Sequence, residues 1–184
     1  MENLLAQSGG NAVRIAVIGP ESTGKTTLCQ ALARHFDSQW VPEYMRRYCQ
    51  QKWDEQRQSC GWDDILPIAL GQIAEENRLA QQTDNFLFCD TCMIELAVYS
   101  QLYHGKCLPE IQAAALNHRY GMIFLTDIDV PWVADDLRDK PNEREHVFQC
   151  FQTFLDNHRI PYTLLQGNHR QRMATALAAL QQLS

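Results

Sequence analysis

The sequence is short of two features that would point to large partners: long apolar runs and basic charge. No stretch approaches the roughly 20 apolar residues that cross a membrane, and 16 lysines and arginines stand against 22 acidic residues. The resulting net charge of −6 argues against broad nucleic-acid binding, which needs basic patches. The N-terminus lacks the basic start and apolar core of a secretory signal. We therefore expect a cytoplasmic protein with no nucleic-acid or membrane partner, in which residues 1–12 form a loose leader.

The sequence also lacks the even, regularly spaced set of cysteines that a disulfide framework would need. The seven cysteines are scattered through predicted strands and helices, which is typical of reduced intracellular thiols rather than of a disulfide framework. Cys89 and Cys92 form a C-x-x-C pair, which a redox or metal site would also show. A structural zinc needs two further ligands at suitable spacing, and none is evident. Two buried thiols are therefore the favoured interpretation.

What the sequence does have is a phosphate-binding loop near its start. Gly19–Thr26 fits G-x-x-x-x-G-K-[ST] and lies between the β-branched run Val13–Ile18 and the helical pattern Thr27–Phe36. This strand–loop–helix context is the one that the motif requires, so a chance match is the weaker alternative. Lys25 is expected to reach the β- and γ-phosphates of ATP, and Thr26 to ligate Mg²⁺. Loop amides at a helix N-terminus surround phosphate, and the predicted nucleotide-binding residues here are Gly19, Pro20, Glu21, Ser22, Thr23, Gly24, Lys25, Thr26 and Thr27.

Strands and helices alternate along the rest of the chain. Strands are predicted at about 13–18, 37–42, 85–89, 122–125 and 161–165, with helices between them and a last helix over about 169–183. The polar segment 50–60 fits either a surface loop or a continuation of the helix before it. Short, continuously apolar strands of this kind imply a parallel sheet that is covered on both faces. We predict one α/β domain over residues 13–184, a five-stranded P-loop NTPase with ligands at the carboxyl edge of its strands.

Acidic residues at that edge are candidates for catalysis. Asp90 ends an apolar strand in the Walker B manner, which predicts a water-mediated Mg²⁺ role; the alternative is a helix N-cap. Glu43 follows the second strand and fits either a general base or clamp on a sugar hydroxyl, or an acid that complements the helix dipole. The two readings of Glu43 are equally well supported by the sequence.

Residues 127–145 are polar and interrupted by prolines, which suggests a lid. Arg138 and Arg144 would place positive charge on the γ-phosphate while the closed lid excludes water; pairing with surface acids is the alternative. Trp132 would either pack the lid or stack on a ring. Gly167 lies where P-loop folds often place the adenine-contacting loop, with Arg172 nearby. The predicted catalytic residues are thus Lys25, Glu43, Asp90 and Arg138.

Four motifs together resemble the ribosylnicotinamide kinase domain of the bacterial NAD-biosynthesis regulator. They are the P-loop, Pro42-Glu43-Tyr44, Asp90-Thr91, and the more particular stretch Pro131–Arg138, which is followed by Arg144. The resemblance implies a nucleoside-kinase-like fold that phosphorylates nicotinamide riboside at its 5′-hydroxyl with ATP and Mg²⁺. It also implies that Glu43 and Asp90 line the acceptor and metal site, that Asp135 and Arg138 belong to the lid, and that Tyr44 lies near the nicotinamide ring.

Two departures from that family pattern keep other functions open. Pro42 stands where some members have Trp, and Cys92 stands where many have a second acid. A deoxynucleoside kinase, which also uses a carboxylate after its second strand, is one alternative. An ATP-binding regulatory module with little turnover is another. The nucleotidyltransferase motif H-x-G-H of the larger members is absent from the sequence, so we do not expect that second activity.

Overall fold

The structure is a computed structural model that describes residues 4–134 and 142–183. The strands within those ranges are β1 (Val13–Ile18), β2 (Gln39–Val41), β3 (Phe86–Asp90), β4 (Met122–Thr126) and β5 (Thr163–Leu165). The α-helices are α1 (Lys25–His35), α2 (Tyr44–Gln56), α3 (Ile65–Ala80), α4 (Met93–His104), α5 (Pro109–Asn117), α6 (Arg144–Asn157) and α7 (His169–Leu180). Short 3₁₀ turns at Trp62–Asp64 and Gln181–Leu183 precede α3 and follow α7.

The five strands form one parallel sheet, as predicted, and their order is β2-β3-β1-β4-β5. Because β1 is central, the loop that follows it opens at the middle of the carboxyl edge. The last residues of its two neighbours, Asp90 on β3 and Thr126 on β4, flank that loop. This is the point at which chain connections diverge to the two halves of the sheet, where α/β folds bind ligands.

Helices cover both faces of the sheet. Ile15 and Val17 of β1 join a core cluster with residues of α1 and α7. Ala16 and Ile18, which point to the opposite face, join a larger cluster that includes residues of α3, α4, α5 and α6. A central strand with helices on both sides has no polar face, which explains its continuous apolar sequence.

The N-terminal segment corrects one expectation: residues 4–12 are not a loose leader. Leu5 is only 2% exposed and belongs to the larger core cluster. Its carbonyl oxygen lies 2.6 Å from Nε2 of His118, and Gln7 donates a 2.9 Å hydrogen bond to Glu76. A single buried leucine and a few backbone bonds therefore attach the segment to α3 and the end of α5, a long-range contact that its own polar sequence does not indicate.

The cysteines correct another expectation. Helix α2 continues to Gln56, and the chain then returns so that Cys49 and Cys60 form a disulfide. The prediction that all seven thiols are reduced is therefore wrong, because the return of the chain joins residues that no sequence motif pairs. The C-x-x-C residues Cys89 and Cys92 are both free and buried, in agreement with two structural thiols.

Candidate active site

The P-loop joins the end of β1 to the start of α1, and two of its glycines meet backbone requirements. Gly19 has φ +144°, and a Cβ there would lie 2.4 Å from Oγ1 of Thr126. Gly24 has φ +83° at the N-cap of α1 and faces open space. The first glycine thus permits close packing against β4, and the second turns the loop amides toward the helix N-terminus, where anions are favoured.

Lys25 is the most enclosed charge of the loop. Its side chain is 8% exposed, and Nζ donates hydrogen bonds of 2.7 Å to the Gly19 carbonyl and 3.1 Å to the Pro20 carbonyl. Burial opposes its positive charge, but the carboxylates of Glu95, Glu43 and Asp90 outweigh burial and raise the pKa of Lys25. The lysine is therefore held charged within a ring of acids and loop carbonyls.

Thr26 and Asp90 form the pair from which a magnesium site would be built. The Thr26 hydroxyl donates a 2.5 Å hydrogen bond to Oδ2 of Asp90. The second oxygen, Oδ1, is buried and has no hydrogen-bond partner among the described residues. Burial and the nearby charge of Glu43 raise the pKa of Asp90 to about 6. A buried carboxylate oxygen without a donor, beside a threonine hydroxyl, suits a hard cation that takes oxygen ligands.

Glu43 lies shortly after β2 and occupies the N-cap position of α2, where its side chain makes no capping hydrogen bond. The backbone N–H of the next residue donates a 2.8 Å bond to Gln72, whose amide in turn donates to the Thr91 carbonyl over 3.4 Å. These bonds fix the start of α2 beside the end of β3. The carboxylate of Glu43 is thereby available to the site rather than to its helix.

A cavity of about 350 Å³ opens beside these acids. Its wall combines two acids with aromatic and basic side chains from α2 and α4, and the segment that carries the disulfide closes one side. The lining residues are Glu21, Glu43, Met45, Arg46, Cys49, Trp53, Ser59, Cys60, Gly61, Ile65, Ile68, Tyr99, Tyr103 and His104. Its volume falls in the range of small-molecule sites.

The sequence reasoning did not identify Glu95, which lies in the first turn of α4. The side chain is 1% exposed, with Oε1 3.3 Å from Nζ of Lys25. Oε2 accepts a 3.3 Å hydrogen bond from the backbone N–H of Gly19. Burial, together with the charges of Glu43 and Asp90, raises the pKa of Glu95 to about 8 despite Lys25. The sequence signal that could have revealed it is an acid within the otherwise apolar helical run 93–98, because an unpaired acid is rarely buried.

Arg172 stabilises the P-loop through hydrogen bonds. It is buried, and it donates to the carbonyls of Thr23, Gly167 and Asp127 and to the carboxylate of Asp129. Gly167 has φ +86° in the turn after β5, and its N–H also donates to Asp129. Arg172 therefore ties the P-loop to the segments that follow β4 and β5.

The first part of the predicted lid contacts the P-loop. The N–H of Val133 donates a 2.7 Å bond to the Ser22 hydroxyl. Arg144 donates to the carbonyls of Val130 and Ser22 over 2.9 and 3.3 Å, and its guanidinium lies 5.7 Å from the Trp132 ring. Burial lowers the pKa of Arg144. The other lid residues of the prediction, Asp135 and Arg138, lie outside the described residues.

Tyr44 is not brought into the cavity. Its ring packs against Gly71, where a Cβ would lie 2.1 Å from the ring, and the Arg47 guanidinium lies 4.8 Å from its centroid. The predicted residues that the structure does gather at the loop or cavity are Gly19, Pro20, Glu21, Ser22, Thr23, Gly24, Lys25, Thr26, Glu43, Asp90, Trp132 and Arg144.

Among residues 4–134 and 142–183 no three His, Cys, Asp or Glu side chains are grouped to hold a metal ion. A magnesium site of the P-loop kind needs no such group, because few protein ligands and the substrate phosphates suffice. In the same ranges, the helices are too short or too polar to pass through a bilayer.

Comparisons with known proteins agree with this geometry. The chain is 30% identical over 141 residues to the trifunctional NAD biosynthesis/regulator protein NadR of Salmonella typhimurium, covering 77% of this chain and 34% of that one. NadR of Escherichia coli is 30% identical over 124 residues, covering 67% and 30%. The chain thus spans about a third of the length of these relatives. The resemblance to the NAD-biosynthesis regulator is confirmed.

Solved structures show the same fold. A crystal structure of NadR protein in complex with NR has a TM-score of 0.77 at 23% identity, covering 93% of this chain and 50% of that one. A deoxyadenosine kinase of M. mycoides has a TM-score of 0.67 at 10% identity, covering 92% and 99%. These likenesses confirm the nucleoside-kinase-like P-loop fold. A family model described as AAA domain matches residues 14–172, and the chain therefore belongs to this AAA domain family.

Proposed function

We propose that this protein is a cytoplasmic kinase that transfers the γ-phosphoryl group of ATP to the 5′-hydroxyl of nicotinamide riboside. The observation that carries the proposal is the placement of Glu43 between two sites. It lines the cavity, and its charge acts on both Lys25 and Asp90. An acceptor in the cavity would thus lie beside the group that receives its proton and beside the phosphate-binding loop.

The nucleotide half of the reaction would use the loop and its two neighbours. Lys25 and the loop amides would hold the β- and γ-phosphates, and Arg144 would add positive charge beside Ser22. Thr26 and Asp90 would hold Mg²⁺, which when bound neutralises charge on the phosphate oxygens. Asp135 and Arg138 remain predicted members of a lid that keeps water from the γ-phosphate, and Gly167 remains a predicted neighbour of the adenine.

The acceptor half would use Glu43 as general base. The carboxylate takes the proton of the 5′-hydroxyl as that oxygen forms a bond to the γ-phosphorus, and the bond from phosphorus to the bridging oxygen breaks. The products are the nucleoside monophosphate and ADP. Asp90 already accepts the Thr26 hydroxyl hydrogen, which favours Asp90 for the metal role and leaves Glu43 as the base.

The choice of nicotinamide riboside rests on the relatives and on the charge of the cavity. One similar solved protein was crystallised with NR. The nicotinamide ring of a riboside is cationic, and the acids Glu21 and Glu43 line the cavity with the aromatic rings of Trp53, Tyr99 and Tyr103. Acids and aromatic faces both attract a cationic ring. These rings, together with Trp132 at the lid, would take the place near the nicotinamide ring that the family resemblance implies for Tyr44.

A coupled assay of ADP release, with product identified by mass, tests the proposal. The enzyme with MgATP is offered nicotinamide riboside, uridine, deoxyadenosine and thymidine in parallel, and Lys25→Met serves as the inactive control. We expect nicotinamide mononucleotide as the main product, with kcat/KM at least about tenfold above the other acceptors. Activity with deoxynucleosides alone would assign a deoxynucleoside kinase, and tight ATP binding without any phosphorylated acceptor would assign a regulatory module.

A further inference from the structure

The Lys25 ammonium lies among three acceptors, two from the P-loop and one from α4. An ammonium group has three N–H donors, and three acceptors surround it: the carbonyls of Gly19 and Pro20 at 2.7 and 3.1 Å and Glu95 at 3.3 Å. A phosphate oxygen can reach this lysine only if one of these partners gives way. Of the three, Glu95 is the only side chain, whereas the other two acceptors are carbonyls of the loop backbone itself.

Glu95 is also attached to the loop by its other oxygen. Oε2 accepts the hydrogen bond from Gly19 N–H, so the carboxylate bridges the first glycine and the lysine of the motif. Its side chain is 1% exposed, so water cannot take over either contact. The charged groups that act on it are Lys25, Glu43 and Asp90, and it acts in turn on the titratable groups of Cys29, Cys92 and Tyr99.

We infer that Glu95 is a positioning residue that holds the Lys25 side chain against the P-loop, and that a bound triphosphate must displace Glu95 from the ammonium. The inference rests on the proposed function only in requiring that a nucleoside triphosphate bind the loop. It adds that nucleotide affinity is set by a residue of α4, outside the motif, whose carboxylate competes with phosphate for the same cation.

The competition depends on the charge of Glu95. An ionised carboxylate beside a polyphosphate is repelled in this enclosed site, whereas a protonated one is not and can still accept the Gly19 N–H. Binding of the triphosphate should therefore draw a proton onto Glu95. Because burial has already raised its pKa to about 8, this proton uptake is expected near neutral and mildly alkaline pH.

The affinity for MgATP of the wild type and of Glu95→Gln tests the inference. Glutamine keeps the size of the side chain and the acceptor for Gly19 but cannot be anionic. If the triphosphate raises the pKa of Glu95 by two units or more, Glu95→Gln should bind about tenfold more tightly at about pH 9. At about pH 6.5, where Glu95 is protonated, the two proteins should bind within about twofold.

Glu76→Gln is the matched control, because Glu76 is an equally buried acid with a cationic partner, Arg14 at 3.0 Å, in α3 outside the site. It should keep the wild-type affinity at both pH values. If Glu95→Gln instead binds more weakly than the wild type, or if the ratio of the two affinities does not change with pH, the inference is overturned.

A second measurement needs no variant that could fail to fold. Calorimetry of MgATP binding at about pH 8, in two buffers of different ionisation enthalpy, counts the protons taken up by the wild type. We expect about half a proton per nucleotide, and no uptake would overturn the inference. Because both readouts follow nucleotide binding alone, they are independent of whether nicotinamide riboside is the acceptor.

Discussion

The hydroxyl of Thr26 donates a 2.5 Å hydrogen bond to Oδ2 of Asp90, which joins the first turn of α1 to the last residue of β3. A helix start and a strand end that are far apart in the sequence thus present oxygen atoms to the same space. Oδ1 of Asp90 has no hydrogen-bond partner within residues 4–134 and 142–183, so a cation would be its natural counterpart.

We expect Asp90→Asn to lower kcat by at least about 100-fold, because an amide cannot supply the negative charge that holds Mg²⁺. Steady-state kinetics with MgATP over a range of magnesium concentrations would measure this loss. The Thr26 hydroxyl can still donate to the amide oxygen, so the thermal midpoint should change little. A variant that keeps wild-type turnover would contradict the metal role of Asp90.

The variant Glu43→Gln tests the proposal that Glu43 is the general base for the acceptor hydroxyl. We expect kcat to fall by at least about 100-fold, since removal of a general base has an effect of this size, while the Kd for MgATP stays within about threefold. Glu55→Gln is the control, because Glu55 is an exposed acid on the same helix. If single-turnover rates of Glu43→Gln match those of the wild type, another group takes the proton.

The disulfide should matter more for the acceptor than for ATP. Cys49 and Cys60 both line the cavity, and α2 has no fully buried residue to anchor it. Apart from the disulfide, α2 is connected to the 3₁₀ turn Trp62–Asp64 through Asp64, which accepts from Tyr48 over 3.0 Å and from Lys52 over 2.6 Å. Closing a loop of this length stabilises a chain by about 2–3 kcal/mol.

We therefore expect Cys60→Ser to raise the KM of the nucleoside by at least about threefold, with the KM of ATP unchanged. The thermal midpoint should also fall. Cys150→Ser, which removes a half-buried free thiol of α6, is the control and should leave both constants unaltered. An equal rise in both KM values would argue that the disulfide supports the whole domain rather than the acceptor wall.

The sequence predicted the P-loop better than it predicted the cavity beside it. The P-loop is one contiguous segment, and the continuously apolar strands β1, β3 and β4 are recognisable without knowledge of their neighbours. The cavity, in contrast, takes Trp53 from α2 and Tyr99 and Tyr103 from α4. Only the sheet order and the path of the chain bring such residues together.

Tyr44 illustrates the limit of a motif. It follows Glu43 directly, but one helical residue turns the side-chain direction by about 100°. Glu43 at the N-cap faces the cavity, while Tyr44 faces α3 and packs on Gly71. Two residues that are neighbours in the sequence therefore need not line the same cavity.

The N-terminal segment gives a test with an internal control. Leu5 is 2% exposed and Leu4 is 71% exposed, so two neighbouring leucines differ almost completely in burial. We expect Leu5→Ala to lower the free energy of unfolding by about 2–3 kcal/mol, through lost apolar burial and a residual cavity. Leu4→Ala should change it by less than about 0.5 kcal/mol. Urea denaturation measures both, and equal effects would contradict the packing of this segment.

Glu95 should also make the stability of the nucleotide-free protein depend on pH. Burial raises its pKa to about 8, whereas an unfolded chain has a glutamate pKa near about 4.3. Between these values the folded protein binds more protons than the unfolded one, so the free energy of unfolding falls as pH rises, by at most about 1.4 kcal/mol per pH unit.

Glu95→Gln removes this proton, so its stability should fall less steeply than that of the wild type. Urea denaturation without nucleotide at about pH 5.5, 6.5 and 7.5 spans the window in which the difference accumulates. Glu110→Gln replaces an exposed acid of α5 and should keep the wild-type slope. Parallel curves for the wild type and Glu95→Gln would mean that Glu95 is as ionised in the folded protein as in the unfolded chain, and that its contact with Lys25 is a full ion pair at every pH in this range.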